Sequence, residues 1–287
     1  YPVNRYLALS ETNPYLIAFC RAFFSMSICL LILLMMKKRP SLDHFIANWP
    51  VLLGMALTGV VGLFLSLAIG LKYVPAGKAS LINSINPALI VILAHFVFRE
   101  SLGRWRIAGL VLSLFGMILV ITGNDLGLWY HLTFYFADLI FVFSGLGWAV
   151  YSILNRFLGN RIGYIEGLFW VFALATAFLF PTAVIFWEDI MFLSGDTWLW
   201  LIYLGIFPGA FGNYLWYIGI VKVGAANAGL INSMLPFCSI IISYFTLGEI
   251  LTPIQFIGAA ILVIGVWLGL YKDSPRVKNL NNKEIKI

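Results

Sequence analysis

Apolar residues run along this chain in blocks of membrane-spanning length, roughly 18 to 25 residues, separated by short charged or Gly/Pro-containing breaks. Nine complete blocks can be counted: Pro14 to Met36, Pro50 to Leu71, Ala76 to Phe98, Trp105 to Thr122, Phe136 to Phe157, Ile165 to Trp187, Thr197 to Ile220, Ala225 to Leu247 and Pro253 to Tyr271. None alternates apolar and polar residues as a barrel strand would, and their length is that of a spanning helix. The pattern therefore predicts an all-α integral membrane protein.

The blocks are related to one another. Leu81-Ile82-Asn83-Ser84, with Pro87 and Glu100-Ser101-Leu102 behind it, returns 149 residues later as Leu230-Ile231-Asn232-Ser233, Pro236 and Glu249-Ile250-Leu251. At this single offset the match runs ungapped from Gly70/Gly219 to Gly116/Gly265, with about 15 identities over about 47 positions. A fixed period of this kind settles the organisation before any local reading does. It pairs the second, third and fourth blocks with the seventh, eighth and ninth, and the first with the sixth. Phe136 to Phe157 is left without a complete partner, and Asn155-Arg156 near its end resembles Asn4-Arg5. Residues Tyr1 to Leu9 thus read as the last turns of a helix almost wholly absent from the sequence. The expected design is ten helices in two repeats of five, repeat one over about 1–123 and repeat two over about 124–272, forming one transmembrane domain followed by a disordered polar tail, 273–287.

An odd number of spans per repeat inserts the second copy upside down, and charge supports one orientation. With the C-terminal tail in the cytoplasm, 14 of the 18 Lys and Arg residues lie inside, whereas Glu188, Asp189 and Asp196 lie outside. This is the positive-inside bias. Composition agrees with the class: 62% of residues are hydrophobic and 10% charged, against about a quarter charged in a soluble globule. The net charge of +6 reads as membrane orientation, not nucleic-acid binding. Cys20, Cys29 and Cys238 sit in apolar runs without a CxxC or Cys/His cluster, so no disulfide, metal site or cofactor is expected. His44, His95 and His131 are dispersed and no HExxH or GxSG-type constellation occurs, so no catalytic residue is assigned.

These residues resemble the drug/metabolite transporter superfamily in its EamA-type ten-helix branch, over nearly the whole chain. The resemblance is carried by the duplicated helix with a mid-span Pro (Pro87, Pro236), the closing Glu-x-Leu, the glycines Gly109, Gly116, Gly258 and Gly265 of the next helix, Trp148-Ala149-Val150-Tyr151 leading to Asn155-Arg156, and Arg21. It implies an alternating-access carrier of small organic solutes, often an exporter of amino acids or related metabolites. The expected location is the cytoplasmic (inner) membrane, and the oligomeric state is left open between a monomer and a homodimer.

In inverted-repeat carriers the substrate binds near the midplane where helices are interrupted. Pro frees a carbonyl in the preceding turn, which protein, water or substrate must satisfy. The candidate substrate-binding residues are accordingly Asn83 and Asn86 beside Pro87, and Asn232 and Ser233 beside Pro236. The alternative for these amides is helix-to-helix hydrogen bonding. A second group comes from polar-aromatic faces: Trp148 and Tyr151, which share one helix face with Ser144 and Asn155, and Asn213 and Tyr217 above a kink at Pro208-Gly209. Such faces stack a flat solute or a cation, or simply pack. Arg21, about 7 residues into its span, either meets an anionic group or takes a structural ion-pair or carbonyl-capping role. Asp138, at a helix start, is expected to cap free amides, with proton coupling as its alternative role. No visible span has a mid-span carboxylate, which favours a facilitator or exchanger over a proton antiporter. The solute is left open between amino acids and a vitamin, choline-like cation, nucleotide-linked compound or lipid; a passive channel is the weaker reading.

Overall fold

In the computed structural model, residues 2–9, 12–74, 76–100, 102–122, 137–191, 193–235, 237–238 and 252–271 are described. Among them every regular element is helical, and seven helices are long and apolar enough to cross a membrane. In chain order the helices are α1 (Pro2–Leu9), α2 (Pro14–Met35), α3 (Leu42–Met55), α4 (Gly62–Tyr73), α5 (Ala76–Asn83), α6 (Asn86–Phe98), α7 (Arg104–Thr122), α8 (Asp138–Leu158), α9 (Tyr164–Ile185), α10 (Trp187–Met191), α11 (Gly195–Leu204), α12 (Gly212–Val223), α13 (Ala225–Asn232) and α14 (Pro253–Tyr271).

Local chemistry sets the ends. Asn13 caps α2 by accepting from the Tyr15 amide at 3.0 Å, with Pro14 in the first turn, where a missing N–H costs nothing. Ser194 caps α11 through the Thr197 amide at 3.2 Å. Gly159 (φ 49°) closes α8 and Gly224 (φ 88°) closes α12, conformations that suit a residue without Cβ.

The second block starts earlier than its apolar run suggests, at Leu42 instead of Pro50. Ser41 caps it, and Pro50 is carried inside α3. The continuous helical stretch Leu42–Tyr73 has 32 residues, about 48 Å at 1.5 Å per residue, longer than the ~30 Å hydrocarbon core. Exposed Asp43 and His44 occupy the surplus at its start. The third block, expected as one span, is two helices: the α-helical run stops at Asn83, turns through Ser84-Ile85, and resumes at Asn86 with Pro87 in the first turn of α6. Pro has no amide to donate and its ring opposes the preceding carbonyl, so the ladder breaks upstream of it. The eighth block likewise stops at Asn232 and turns, with Ser233 and Met234 amides bonding back three residues to Leu230 and Ile231. Pro236 and Glu249 lie outside the described residues.

Both long helices contain a π-helical interruption, Ala56–Val61 between α3 and α4 and Gly205–Phe211 between α11 and α12. Ala56 and Gly205 are 149 positions apart, the repeat offset.

The described residues form two compact units, one from 2–83 and 137–225, the other from 84–122 and 226–271. Each takes pieces from both halves of the chain. The first unit is built around α2 against α9, with a core that includes Leu52, Met55, Phe64, Tyr151, Phe172 and Tyr217. The second is built around the pair α7 and α14. A Cβ on Gly109 would meet the Gly265 carbonyl and the Gly269 amide at 2.5 Å, and one on Gly265 would meet the Ser113 amide at 2.5 Å. Only glycine permits this approach, and close backbone contact gives helices in lipid the packing that hydrophobicity cannot supply. Within the same unit Arg106, from α7, bonds Asn227 of α13 at 3.2 Å and faces Glu100 at 3.6 Å.

Candidate functional site

The first unit brings two of the sequence-derived faces together. On α8, Ser144, Trp148, Tyr151 and Asn155 share one side; on α12, so do Asn213 and Tyr217, with Trp216 adjacent. The Tyr151 hydroxyl donates to Asn213 Oδ1 at 2.8 Å. Asn213 Nδ2 in turn donates to the Gly209 carbonyl at 2.7 Å and the Pro208 carbonyl at 3.3 Å. Asn213 thus supplies donors to carbonyls of the π-helical turn that contains Pro208, where the regular ladder is disturbed. Tyr151 and Tyr217 are fully buried and Asn213 is 5% exposed, so these polar groups need internal partners.

Ser152 is a member of this site that the residue pattern did not single out. It receives Trp216 Nε1 at 3.2 Å and donates to the Trp148 carbonyl at 2.8 Å. The signal available was its place one position beyond Tyr151, next to an indole that requires an acceptor when buried. Trp148 stacks on Trp216 at 5.6 Å and on Tyr151 at 5.1 Å. The Tyr217 hydroxyl donates to the Gly159 carbonyl at 3.0 Å, where α8 ends. Asn155 uses its amide on the Tyr151 carbonyl at 3.1 Å, while its Oδ1 and the Ser144 hydroxyl are buried with no hydrogen-bond partner. The cluster therefore combines two partly exposed indole faces with unspent polar capacity beside them. It can stack a planar or cationic group and bond a polar edge; Tyr151, Asn213 and Tyr217 meanwhile spend their tips on the protein.

The first π-helical turn meets the same tyrosine from another side. A Cβ on Gly59 would overlap the Tyr151 ring, so glycine at this position admits the ring against the backbone.

The Leu-Ile-Asn-Ser pair is divided between the units. Asn83 is the last residue of α5 and partly buried, in the first unit; Asn86, Asn232 and Ser233 belong to the second. Asn86 is partly buried and its Oδ1 has no hydrogen-bond partner. Pro87 is buried beside it. Ser233 is fully buried and donates to the Leu230 carbonyl at 2.6 Å, the bond that closes the turn.

Charged groups found partners that the linear pattern did not name. Asp138 opens α8, and its Oδ2 lies 2.5 Å from Lys78 Nζ on α5, a buried ion pair. Glu166 accepts from the Ser41 amide at 2.8 Å and contacts His44 Nδ1 at 3.0 Å, joining α9 to the start of α3. His95 Nδ1 lies 2.6 Å from the Glu100 carbonyl.

A multi-pass helical membrane protein with a polar-aromatic cluster at an interrupted helix defines the class: a membrane transporter. The model of the EamA-like transporter family matches residues 1–122 and 135–271, and the chain belongs to that family, within the drug/metabolite transporter type. Curated relatives agree. An uncharacterized transporter of Archaeoglobus fulgidus is 26% identical over 269 residues, covering 93% of this chain and 91% of that protein. The uncharacterized transporter YetK of Bacillus subtilis is 27% identical over 228 residues, 77% and 68% of the two chains. A chloroplastic WAT1-related protein of Arabidopsis thaliana is 25% identical over 271 residues, 91% of this chain and 63% of that one. A crystal structure superposes with a TM-score of 0.72 at 20% identity, covering 93% and 91% of the chains, a likeness of fold.

Proposed function

We propose that this transporter is an alternating-access secondary carrier, built as a ten-helix inverted repeat, that exports or exchanges small metabolites such as amino acids across the cytoplasmic membrane, with its C-terminus in the cytoplasm. The observation that carries the reading is the recurrence of a π-helical interruption at the 149-residue offset, Ala56–Val61 and Gly205–Phe211. Such irregular turns are frequent at functional sites, and interrupted helices related by repeat symmetry mark the binding region of inverted-repeat carriers. The α8 and α12 faces add the chemistry: Trp148 and Trp216 offer stacking surfaces, with Tyr151, Asn213 and Tyr217 as polar groups that exchange protein partners for solute as the site opens. Asn83, Asn86, Asn232 and Ser233, at the two broken helices, are the further candidate substrate-binding residues. The positive-inside charge distribution supports the orientation.

The test is solute counterflow in proteoliposomes carrying the purified protein, screened with radiolabelled amino acids. Saturable exchange that Trp148→Ala or Asn232→Ala impairs, without loss of folded yield, is the expected result. Unitary channel currents, or flux indifferent to these substitutions, would sink the site assignment. One observation favours a second reading of the solute: the stacked Trp148–Trp216 pair also suits a choline-like cation. Competition by choline, absent with amino acids, would select it.

A further inference from the structure

A single buried cation in the first unit has no counter-charge among the described residues. Arg21 lies on α2, 5% exposed. Its Nη1 donates to Asn4 Oδ1 at 3.4 Å, its guanidinium carbon sits 3.9 Å from the centre of the Phe64 ring, and its Nε has no hydrogen-bond partner. The described carboxylates are committed or remote from the interior. Asp138 pairs with Lys78, Glu100 with Arg106 and Glu166 with His44; Asp43, Glu188, Asp189 and Asp196 are exposed. An ionised group inside a membrane span, held by one long hydrogen bond and one aromatic face, is costly for stability alone.

Its position is also not incidental. Phe64 lies three residues past the first π-helical turn. The backbone of Arg21 abuts the start of the second, where the Ser25 hydroxyl lies 2.8 Å from both the Arg21 and the Gly205 carbonyls. Gly209 of that same turn accepts from Asn213, which receives the Tyr151 hydroxyl. The cation and the aromatic cluster are thus connected through one interrupted helix.

We infer that Arg21 receives the carboxylate of the transported solute, which makes the substrate class a small monocarboxylate or zwitterion with an apolar or aromatic body; this rests on the carrier reading above. The guanidinium fork matches a carboxylate in two parallel bonds, and its buried Nε has no hydrogen-bond partner to give up. One positive charge balances one carboxylate; a doubly charged phosphate would remain under-neutralised. A quaternary cation without a carboxylate is repelled.

The experiment uses thermal unfolding of the purified full chain in detergent with L-phenylalanine, L-leucine, L-threonine and benzoate, each against its amide, and with choline. At least one acid is expected to raise the unfolding temperature of the wild type where its amide does not. Arg21→Met is expected to lower affinity for that acid about 10- to 100-fold while the unliganded variant unfolds no earlier than wild type, because an unpaired buried charge has been removed. Arg21→Lys keeps charge but not the fork and is expected to retain only a weak shift, which provides the answer should Arg21→Met fail to fold. No acid outperforming its amide, or an acid-specific shift that survives Arg21→Met or is undiminished in Arg21→Lys, overturns the assignment. Proteoliposome flux separates this from the carrier reading: flux that survives Arg21→Met removes Arg21 alone, whereas no flux for any compound tested breaks the carrier itself.

Discussion

The two π-helical turns occupy equivalent places in the repeat and reach the same backbone by different means. Gly205–Phe211 contains Pro208, and Asn213 one turn later donates to the carbonyls of Pro208 and Gly209. Ala56–Val61 contains no proline, and the residue equivalent to Asn213 is Phe64. Its irregularity is supported from outside: the Tyr151 ring occupies the space that a side chain at Gly59 would fill, and a Cβ on Gly147 of α8 would meet the Thr58 carbonyl at 2.7 Å. The Thr58 hydroxyl bonds back to the Gly54 carbonyl at 2.7 Å. One turn is therefore written in local chemistry and the other in tertiary packing. A feature that persists when its local cause does not points to a requirement of the architecture, with Pro208 an aid and not the origin.

That contrast can be broken most forcefully at Gly59. Gly59→Val places a branched side chain in the Tyr151 ring, and overpacking of this kind costs about 3 kcal/mol or more where neither backbone nor ring can retreat; detergent thermal unfolding should show a large loss of stability and folded yield. Asn213→Leu is next. It leaves the buried Tyr151 hydroxyl without its acceptor and withdraws the side-chain donor from the Pro208 and Gly209 carbonyls, a penalty of about 1–3 kcal/mol, and wild-type stability in this variant would show that the clasp is idle. Tyr151→Phe removes only the hydroxyl bond to Asn213, worth about 1 kcal/mol, and should leave the packing against Gly59 intact. Pro208→Ala is expected to change stability by less than about 1 kcal/mol, because the first turn forms without proline; a structure of the variant with a regular α-ladder there would refute the architectural origin of the π turn. The smallest effect belongs to Gly219→Ala. An added Cβ meets nothing within 4 Å, so the helix should gain up to about 1 kcal/mol, measured as a slightly higher unfolding temperature.

Legibility in the sequence followed the range of the interactions involved. The Trp148/Tyr151 and Asn213/Tyr217 faces could be read because helical spacing places such residues on one side of an element. That Tyr151 reaches Asn213, and that Trp216 needs Ser152, could not be read, since both bonds join segments more than 60 positions apart. Asp138 shows the same limit. Its position at a helix start suggested a cap, a local role; its ion pair with Lys78, 60 positions upstream, could not be read there.

By itself the sequence determined the membrane-embedded helical class, the 149-residue repeat and the glycines of α7 and α14. Each depends on chemistry that acts within one turn or on a period visible in one dimension. Only the tertiary structure decided that both long helices carry a π-helical turn, that α7 and α14 cross at those glycines, and that Arg21 is buried with no carboxylate partner among the described residues. Those features depend on which distant side chain arrives to fill, pair or vacate a space, and in a chain whose helices are apolar on nearly every face, periodicity does not say which one arrives.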